Sequence, residues 1–327
     1  MRLDRVMRGL VIAGLFGALV YVGLAVFGDA AAVLEALSMF SLPTLVLILL
    51  LSIGCYTTRA YRWGRYLKLV GHPVDPGDWL YLQFAGMSSS LTPGRLGELL
   101  KPWLSREVAG APLAAGIPLI FAERVSDLIA VAILSLGGLS ALRGPAWLLA
   151  LGVSLVVAGA VLAGSEWFHA LVLRTIERQS WARRYHESTA IMAETIRLSM
   201  SWRALLWSTA LSMIAWGFEG VGFALCLRGL AVEGVGLWPA LSVYCISTIA
   251  GALTFLPGGI GLTEASMTGI LVALGLSGVQ ASAATVLTRV ATLWWGVLLG
   301  WTVLLSRPAL VQRVFSSPAD AEVAAPS

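Results

Sequence analysis

A chain of 327 residues that is 58% hydrophobic and only 12% charged, with a mean hydropathy of +0.83, carries more apolar surface than a soluble core of its size would need. The composition excludes an ordinary soluble domain and points to a polytopic membrane protein. The net charge is +4, and Cys55, Cys226 and Cys245 fall in apolar segments without ligand spacing, so neither a disulfide framework nor a metal site is implied.

In chain order, residues 9–28 form the first expected span. They follow Arg2, Arg5 and Arg8, but the stretch is too long for a signal-peptide core and lacks an Ala-x-Ala cleavage site. Residues 36–58 predict a second span, uncharged over about the twenty residues that cross roughly 30 Å of hydrocarbon. Residues 79–104 are read as a hairpin entering the membrane, broken at Thr92-Pro93-Gly94-Arg95-Leu96-Gly97-Glu98. The third span, 113–142, holds Glu123, Arg124 and Asp127, and the fourth, 144–165, is uncharged. Residues 166–203 mix arginines and glutamates with Trp167, Leu171, Ile176, Trp181 and Ile191, which predicts one or two amphipathic helices on the inner surface. The fifth span, 204–227, contains Glu219. Residues 235–276 are too apolar for a loop and are cut by Leu256-Pro257-Gly258-Gly259-Ile260-Gly261, so they predict a second hairpin. The sixth span, 279–305, contains Arg289, and the last dozen residues read as a disordered tail with nothing folded after the last span.

Basic residues beside short loops resist translocation. With the N-terminus inside, Arg59, Arg62, Arg65, Lys68, Arg95, Lys101 and Arg106 join the arginines of the N-terminus, of 166–203 and of the C-terminus on the inner face. Eighteen of the 22 basic residues lie there, against Arg143 and Arg228 outside. Both termini are therefore expected in the cytoplasm. Three crossings per half make the second half an inverted copy of the first. The expectation is an all-α polytopic membrane protein with six transmembrane helices and two re-entrant hairpins arranged as an inverted repeat: residues 1–143, residues 144–306, then a cytoplasmic tail at 307–327.

The two breaks carry the chemistry. Pro93 precedes Arg124 by thirty-one positions and Pro257 precedes Arg289 by thirty-two; paired broken helices in corresponding halves point to a transporter's binding site. Non-helical backbone persists at membrane depth only against protein or a water-filled cavity. Proline removes a donor, and glycine allows positive φ. Freed N–H groups at a half-helix N-terminus suit phosphate or carboxylate. Pro93, Gly94, Arg95 and Gly97, with Pro257, Gly258, Gly259 and Gly261, are therefore candidate substrate-binding residues beside Arg124 and Arg289. An arginine at the bilayer centre costs about 2.5–3.5 kcal/mol and needs partners. Glu123 and Asp127 flank Arg124 on its own helix, and Glu98 and Glu264 are partners offered by the hairpins; all four carboxylates are candidates for balancing charge or relaying protons. The same charges also fit helix-locking ion pairs. Glu219 has no matched counterpart in the first half.

Taken together, Ser90-Leu91-Thr92-Pro93-Gly94-Arg95-Leu96-Gly97-Glu98, Glu123-Arg124-x-x-Asp127, Phe255-Leu256-Pro257-Gly258-Gly259-Ile260-Gly261-x-x-Glu264 and Arg289 resemble the flippase-like transmembrane domain of lysylphosphatidylglycerol synthases and their stand-alone relatives, over roughly residues 5–305. The resemblance implies two inverted re-entrant segments and movement of a lipid between leaflets, with the matched arginines and glutamates along the route. The soluble aminoacyl-transferase domain of the full-length synthases is not seen after the membrane part, so lysyl transfer is not expected of this chain. The leading expectation is a translocator of the bacterial inner membrane that handles a lipid with an anionic or phosphate-bearing headgroup, without nucleic acid or cofactor. No phosphate-loop pattern points to ATP. Assembly with identical copies is left open. The alternatives are an intramembrane enzyme acting on a lipid-linked substrate, or a scaffold of envelope biosynthesis. No catalytic constellation emerges: His72, His169 and His186 all fall in cytoplasmic or junction segments.

Overall fold

A computed structural model describes residues 30–91, 99–138, 154, 157–171, 186–253 and 256–316, and all regular structure among them is helical. The expected first span, the first break at 92–98, most of the fourth span and the tail beyond 316 lie outside the described residues. The helices are α1 (Ala30–Ser38), α2 (Leu42–Leu69), α3 (Pro76–Met87), α4 (Leu100–Ala109), α5 (Leu113–Leu136), α6 (His186–Ser199), α7 (Trp202–Gly229), α8 (Leu237–Leu253), α9 (Leu262–Ala273), α10 (Gly278–Arg289), α11 (Trp295–Leu305) and α12 (Pro308–Ser316).

Three stretches are both long and apolar enough to cross a membrane: Leu42–Leu69, Trp202–Gly229 and Gly278–Leu305. At 1.5 Å per residue, a 28-residue helix is about 42 Å long, more than the hydrocarbon core requires. The 24-residue α5 also has the length, but it carries Glu123, Arg124 and Asp127. The helix ends follow local chemistry. Pro43 enters α2 in its first turn, where a missing N–H costs nothing. Ser201 caps α7. Ser277 and Gln280 exchange hydrogen bonds at the start of α10.

The second span begins at Leu42 and not at residue 36, and it continues through Arg59, Arg62, Arg65 and Lys68. Gly54 and Gly64 lie within the helix without ending it, and the chain turns only at Gly71, at φ 87°. The second break is present as a real interruption. Helices α8 and α9 pack against each other and are separated by a tight turn at Pro257–Gly259, where Gly258, Gly259 and Gly261 adopt φ of 59°, 67° and 101°. These values favour glycine, which has no Cβ to clash. Between α10 and α11 the chain makes a wide turn over Val290–Trp294, in which the Trp295 N–H reaches back five residues to the Val290 carbonyl.

Helix α7 is the central pillar, packed on α2, α5 and α8. Helix α3 lies on α11, and α8 lies on α5. Leu50, Phe121, Ile214 and Leu298 point outward and are exposed, a surface suited to hydrocarbon. The α3–α11 contact depends on small residues, as membrane helix pairs commonly do. A Cβ added to Gly300 would run into the Ser88 nitrogen and come within 2.9 Å of the Phe84 carbonyl oxygen, whereas Gly217 has open space around it. Gly300→Ala should therefore lower stability by about 1–3 kcal/mol through overpacking. Thermal unfolding in detergent should show an earlier transition for this variant and none of that loss for Gly217→Ala.

Candidate functional site

Where α2, α5, α7, α8 and α10 converge, they enclose a cavity of about 210 Å³, many times the roughly 10–15 Å³ that one water occupies. Tyr56 and Arg59 come from α2, Gln83 from α3, Lys101 from α4, Glu123 and Arg124 from α5, Trp216 and Glu219 from α7, and Tyr244 and Thr248 from α8. Ser90, Gly258, Arg289 and Thr292 complete the polar part of the wall, and Leu293 adds an apolar side chain. Four of the residues singled out in the sequence, Glu123, Arg124, Gly258 and Arg289, thus share one cavity although they lie up to 166 positions apart.

Arg289 holds the second break in shape. Its Nε donates to Glu264 at 2.6 Å, and Nη2 donates to the Gly258 carbonyl at 2.6 Å. Glu264, fully buried, accepts in turn from the N–H of Gly261 at 2.7 Å. The backbone donor at the start of α9 is therefore met by the protein's own carboxylate, and Gly258 contributes a carbonyl where the sequence suggested free N–H groups. Gly259 is buried against Gly251 and Thr263. Arg124 is held differently: its Nη2 lies 3.5 Å from Asp127, and its side chain is 37% exposed.

Asp127 sits behind the cavity wall, in a network the sequence reading missed. Arg62, with a side chain only 1% exposed, donates to Asp127 at 2.6 Å, to Ser126 at 3.3 Å, to Glu123 at 3.4 Å and to Ser212. Lys101 donates to Glu123 at 2.5 Å and to Gln83 at 3.0 Å, with its ammonium 3.9 Å from the centre of the Trp63 ring. Glu219 accepts from Cys55 at 3.2 Å and from Tyr244 at 2.8 Å, and Arg59 lies 3.9 Å from it and 4.5 Å from the Trp216 ring centre. Arg59, Arg62 and Lys101, counted with the inner-face cations in the sequence, are interior charges of the bundle, tolerated because carboxylates and aromatic faces surround them, whereas Arg65 and Lys68 further along α2 are exposed.

Glu219 lies seventeen residues after the first residue of α7, and Arg59 lies seventeen residues after the first residue of α2, a helix of the same 28-residue length. Arg124 and Arg289 match in the same way, each eleven residues after the first residue of α5 or α10. Pro93, Gly94, Arg95, Gly97 and Glu98 lie outside the described residues. The chain just before them is placed, however: Leu91 packs beside Gly258 and shares an apolar cluster with Ile260 and Val297, so the approach to the first break abuts the second.

The two breaks, the two arginines and the cavity fall within one continuous match: residues 9–300 fit the family described as the lysylphosphatidylglycerol synthase TM region. The chain belongs to that family. It is similar to two proteins described as UPF0104 membrane proteins from Methanothermobacter thermautotrophicus. One is 25% identical over 305 residues, covering 84% of this chain and 85% of the relative. The other is 23% identical over 299 residues, covering 82% and 84%. The sequence resemblance to the membrane region of lysylphosphatidylglycerol synthases is thereby borne out across nearly the whole chain.

In this family member the Arg62 network has a measurable weight. Removing one partner of a buried ion pair strands the other charge, at a cost of about 3–5 kcal/mol. Arg62→Ala should destabilise by that order, and Arg62→Ala/Asp127→Ala by less than the sum of the two single changes. A double-mutant cycle on unfolding in detergent reads the coupling directly.

Proposed function

We propose that this protein moves a phosphate-bearing lipid between the leaflets of a membrane through its charged cavity. The observation that carries the reading is the meeting of Arg124 and Arg289, from distant parts of the chain, in a polar cavity inside a bundle whose outer surface is apolar. Buried charges are costly in a membrane and typically mark a substrate or ion pathway. The wall holds Arg59, Lys101, Arg124 and Arg289 against two carboxylates, Glu123 and Glu219, so an anion is the favoured guest. Arg124, the more exposed arginine, takes the phosphate, and Arg289 keeps the broken hairpin in place beside it.

In this reading the chain is an inverted repeat of two three-span units with re-entrant hairpins, with both termini in the cytoplasm. Three features support the repeat. Helices α2 and α7 have equal length and meet at Arg59 and Glu219, residues at the same register. Arg124 and Arg289 share a register in α5 and α10. Each hairpin packs on a span of the other half, α3 on α11 and α8 on α5. In transporters built from inverted repeats, alternating access is largely a rocking or gating motion of one repeat against the other around a fixed site.

The test is leaflet transfer of a tail-labelled phospholipid in reconstituted vesicles. Arg124→Ala should abolish transfer while the protein still elutes as a folded species. Arg289→Ala should abolish it too, with some loss of stability because Glu264 is left unpaired. Transfer that proceeds unchanged in both variants would refute the reading.

A further inference from the structure

A separate group of cations lies on the outer surface, away from the cavity. Helices α2 and α7 run antiparallel: Gly54 faces Phe218, Ile48 faces Gly222, Phe40 faces Gly229, and Tyr66 meets Trp207. The end of α2 therefore lies beside the start of α7. Three exposed cations gather there, Arg65 and Lys68 from α2 and Arg203 from α7. Arg65 is six residues past Arg59, about 9 Å further along the helix axis. It does not line the cavity, and neither do Lys68 and Arg203.

Arg65 is held by aromatic rings. Its guanidinium lies 4.7 Å from the ring centre of Trp207 and 5.9 Å from that of Tyr61. Both rings are braced, Trp207 against Tyr66 at 4.9 Å and Tyr61 edge-on to Trp79 of α3 at 6.0 Å. An exposed arginine ordinarily samples many rotamers, and ordering it around a ligand costs conformational entropy. Here the ordering is supplied by α2, α3 and α7. Stacking engages the faces of the guanidinium and leaves its edge, the fork of N–H groups that binds phosphate.

Among the described residues Arg65 has neither an ion pair nor a side-chain hydrogen bond, and Lys68 and Arg203 have no ion pair. Asp78, the acid next to Trp79, is engaged by Arg307 at 2.7 Å. The patch thus carries an unbalanced positive charge, which favours an anion over a headgroup that brings its own ammonium. What lies beside the cations sets the rest of the ligand. Arg203 and Trp207 are one turn apart on α7 and share a face. Next to them Leu206, Ala210 and Ile214 form an exposed row at i, i+4 spacing that leads away from the charged end of the helix. A free anion gains nothing from such a row, whereas acyl chains do.

We propose that Arg65, Lys68 and Arg203 bind the phosphate of an anionic phospholipid on the outer surface of the bundle, with its tails along α7, at a site separate from the cavity. The bound lipid clasps α2 to α7. This does not depend on the translocation reading. The test is thermal unfolding of the purified protein in mild detergent, titrated with dioctanoyl phosphatidylglycerol, dioctanoyl phosphatidylcholine or glycerol 3-phosphate. A ligand that binds only the folded form raises the midpoint by mass action. Phosphatidylglycerol should raise it saturably, and the other compounds at equal concentration should not. Arg65→Gln should increase the phosphatidylglycerol concentration needed for half the effect about tenfold, through loss of charge-assisted hydrogen bonds to phosphate. Arg124→Ala, which alters the cavity, should leave that concentration unchanged. Equal stabilisation by phosphatidylcholine or by glycerol 3-phosphate overturns the proposal. So does an unchanged titration in a folded Arg65→Gln variant, or an effect that disappears in Arg124→Ala. Should Arg65→Gln fail to fold, the double variant Lys68→Gln/Arg203→Gln, which alters only exposed side chains, decides: a weaker response to phosphatidylglycerol supports the site, and an unchanged one overturns it.

Discussion

The constraint on which the rest of this structure depends is that no charge inside an apolar bundle can be left without compensation. Arg62 is the clearest case. It is almost fully enclosed, and it joins Asp127 and Glu123 on α5 to Ser212 on α7, so three long helices are tied at one guanidinium. Lys101 extends the tie to α4 and, through Gln83, to α3. A buried pair of this kind adds little net stability compared with a well-packed apolar core. Its larger effect is to penalise every arrangement in which the partners miss one another, which fixes the relative placement of the helices around the cavity.

A second tie has a different purpose. Around Gly258, Arg289 satisfies a carbonyl that the broken helix cannot pair internally, and Glu264 satisfies both Arg289 and the Gly261 N–H. The interruption is therefore closed by two side chains. Backbone that would be untenable in hydrocarbon is held as a firm edge of the cavity. The same arrangement explains why the arginine beside it is less exposed than Arg124.

What could be read from the sequence, and what could not, follows from the range of the interactions concerned. The second break was legible because Pro257, Gly258 and Gly259 impose their conformations locally. Arg124, Glu123 and Arg289 were legible because a charge stands out in an apolar stretch. Arg59, Arg62 and Lys101 were not: they lie near the ends of apolar windows, where a cation is equally compatible with the membrane surface, and only the facing carboxylates make them interior residues. The uninterrupted run from Leu42 to Leu69 was the available signal, since nothing in it would stop the helix. The pairing of Arg59 with Glu219 is invisible without α2 and α7 side by side, because no motif surrounds either residue. Counting basic residues by sign alone grouped the buried Arg62 and Lys101 and the partly buried Arg59 with the exposed Arg65 and Lys68.

The wide turn at Val290–Trp294 has a consequence for how the last membrane-crossing segment is shared. Each residue of an α-helix advances the side-chain direction by about 100°, so one extra residue in a turn re-aims everything beyond it. Arg289, before the turn, faces the cavity, while Gly296 and Gly300, after it, face α3. The carbonyl of Thr292 inside the turn is met by the Tyr56 hydroxyl of α2. One continuous rod is thereby divided into two independently oriented faces, one turned to the cavity and one to the scaffold, so sequence drift on the cavity side need not disturb the docking side.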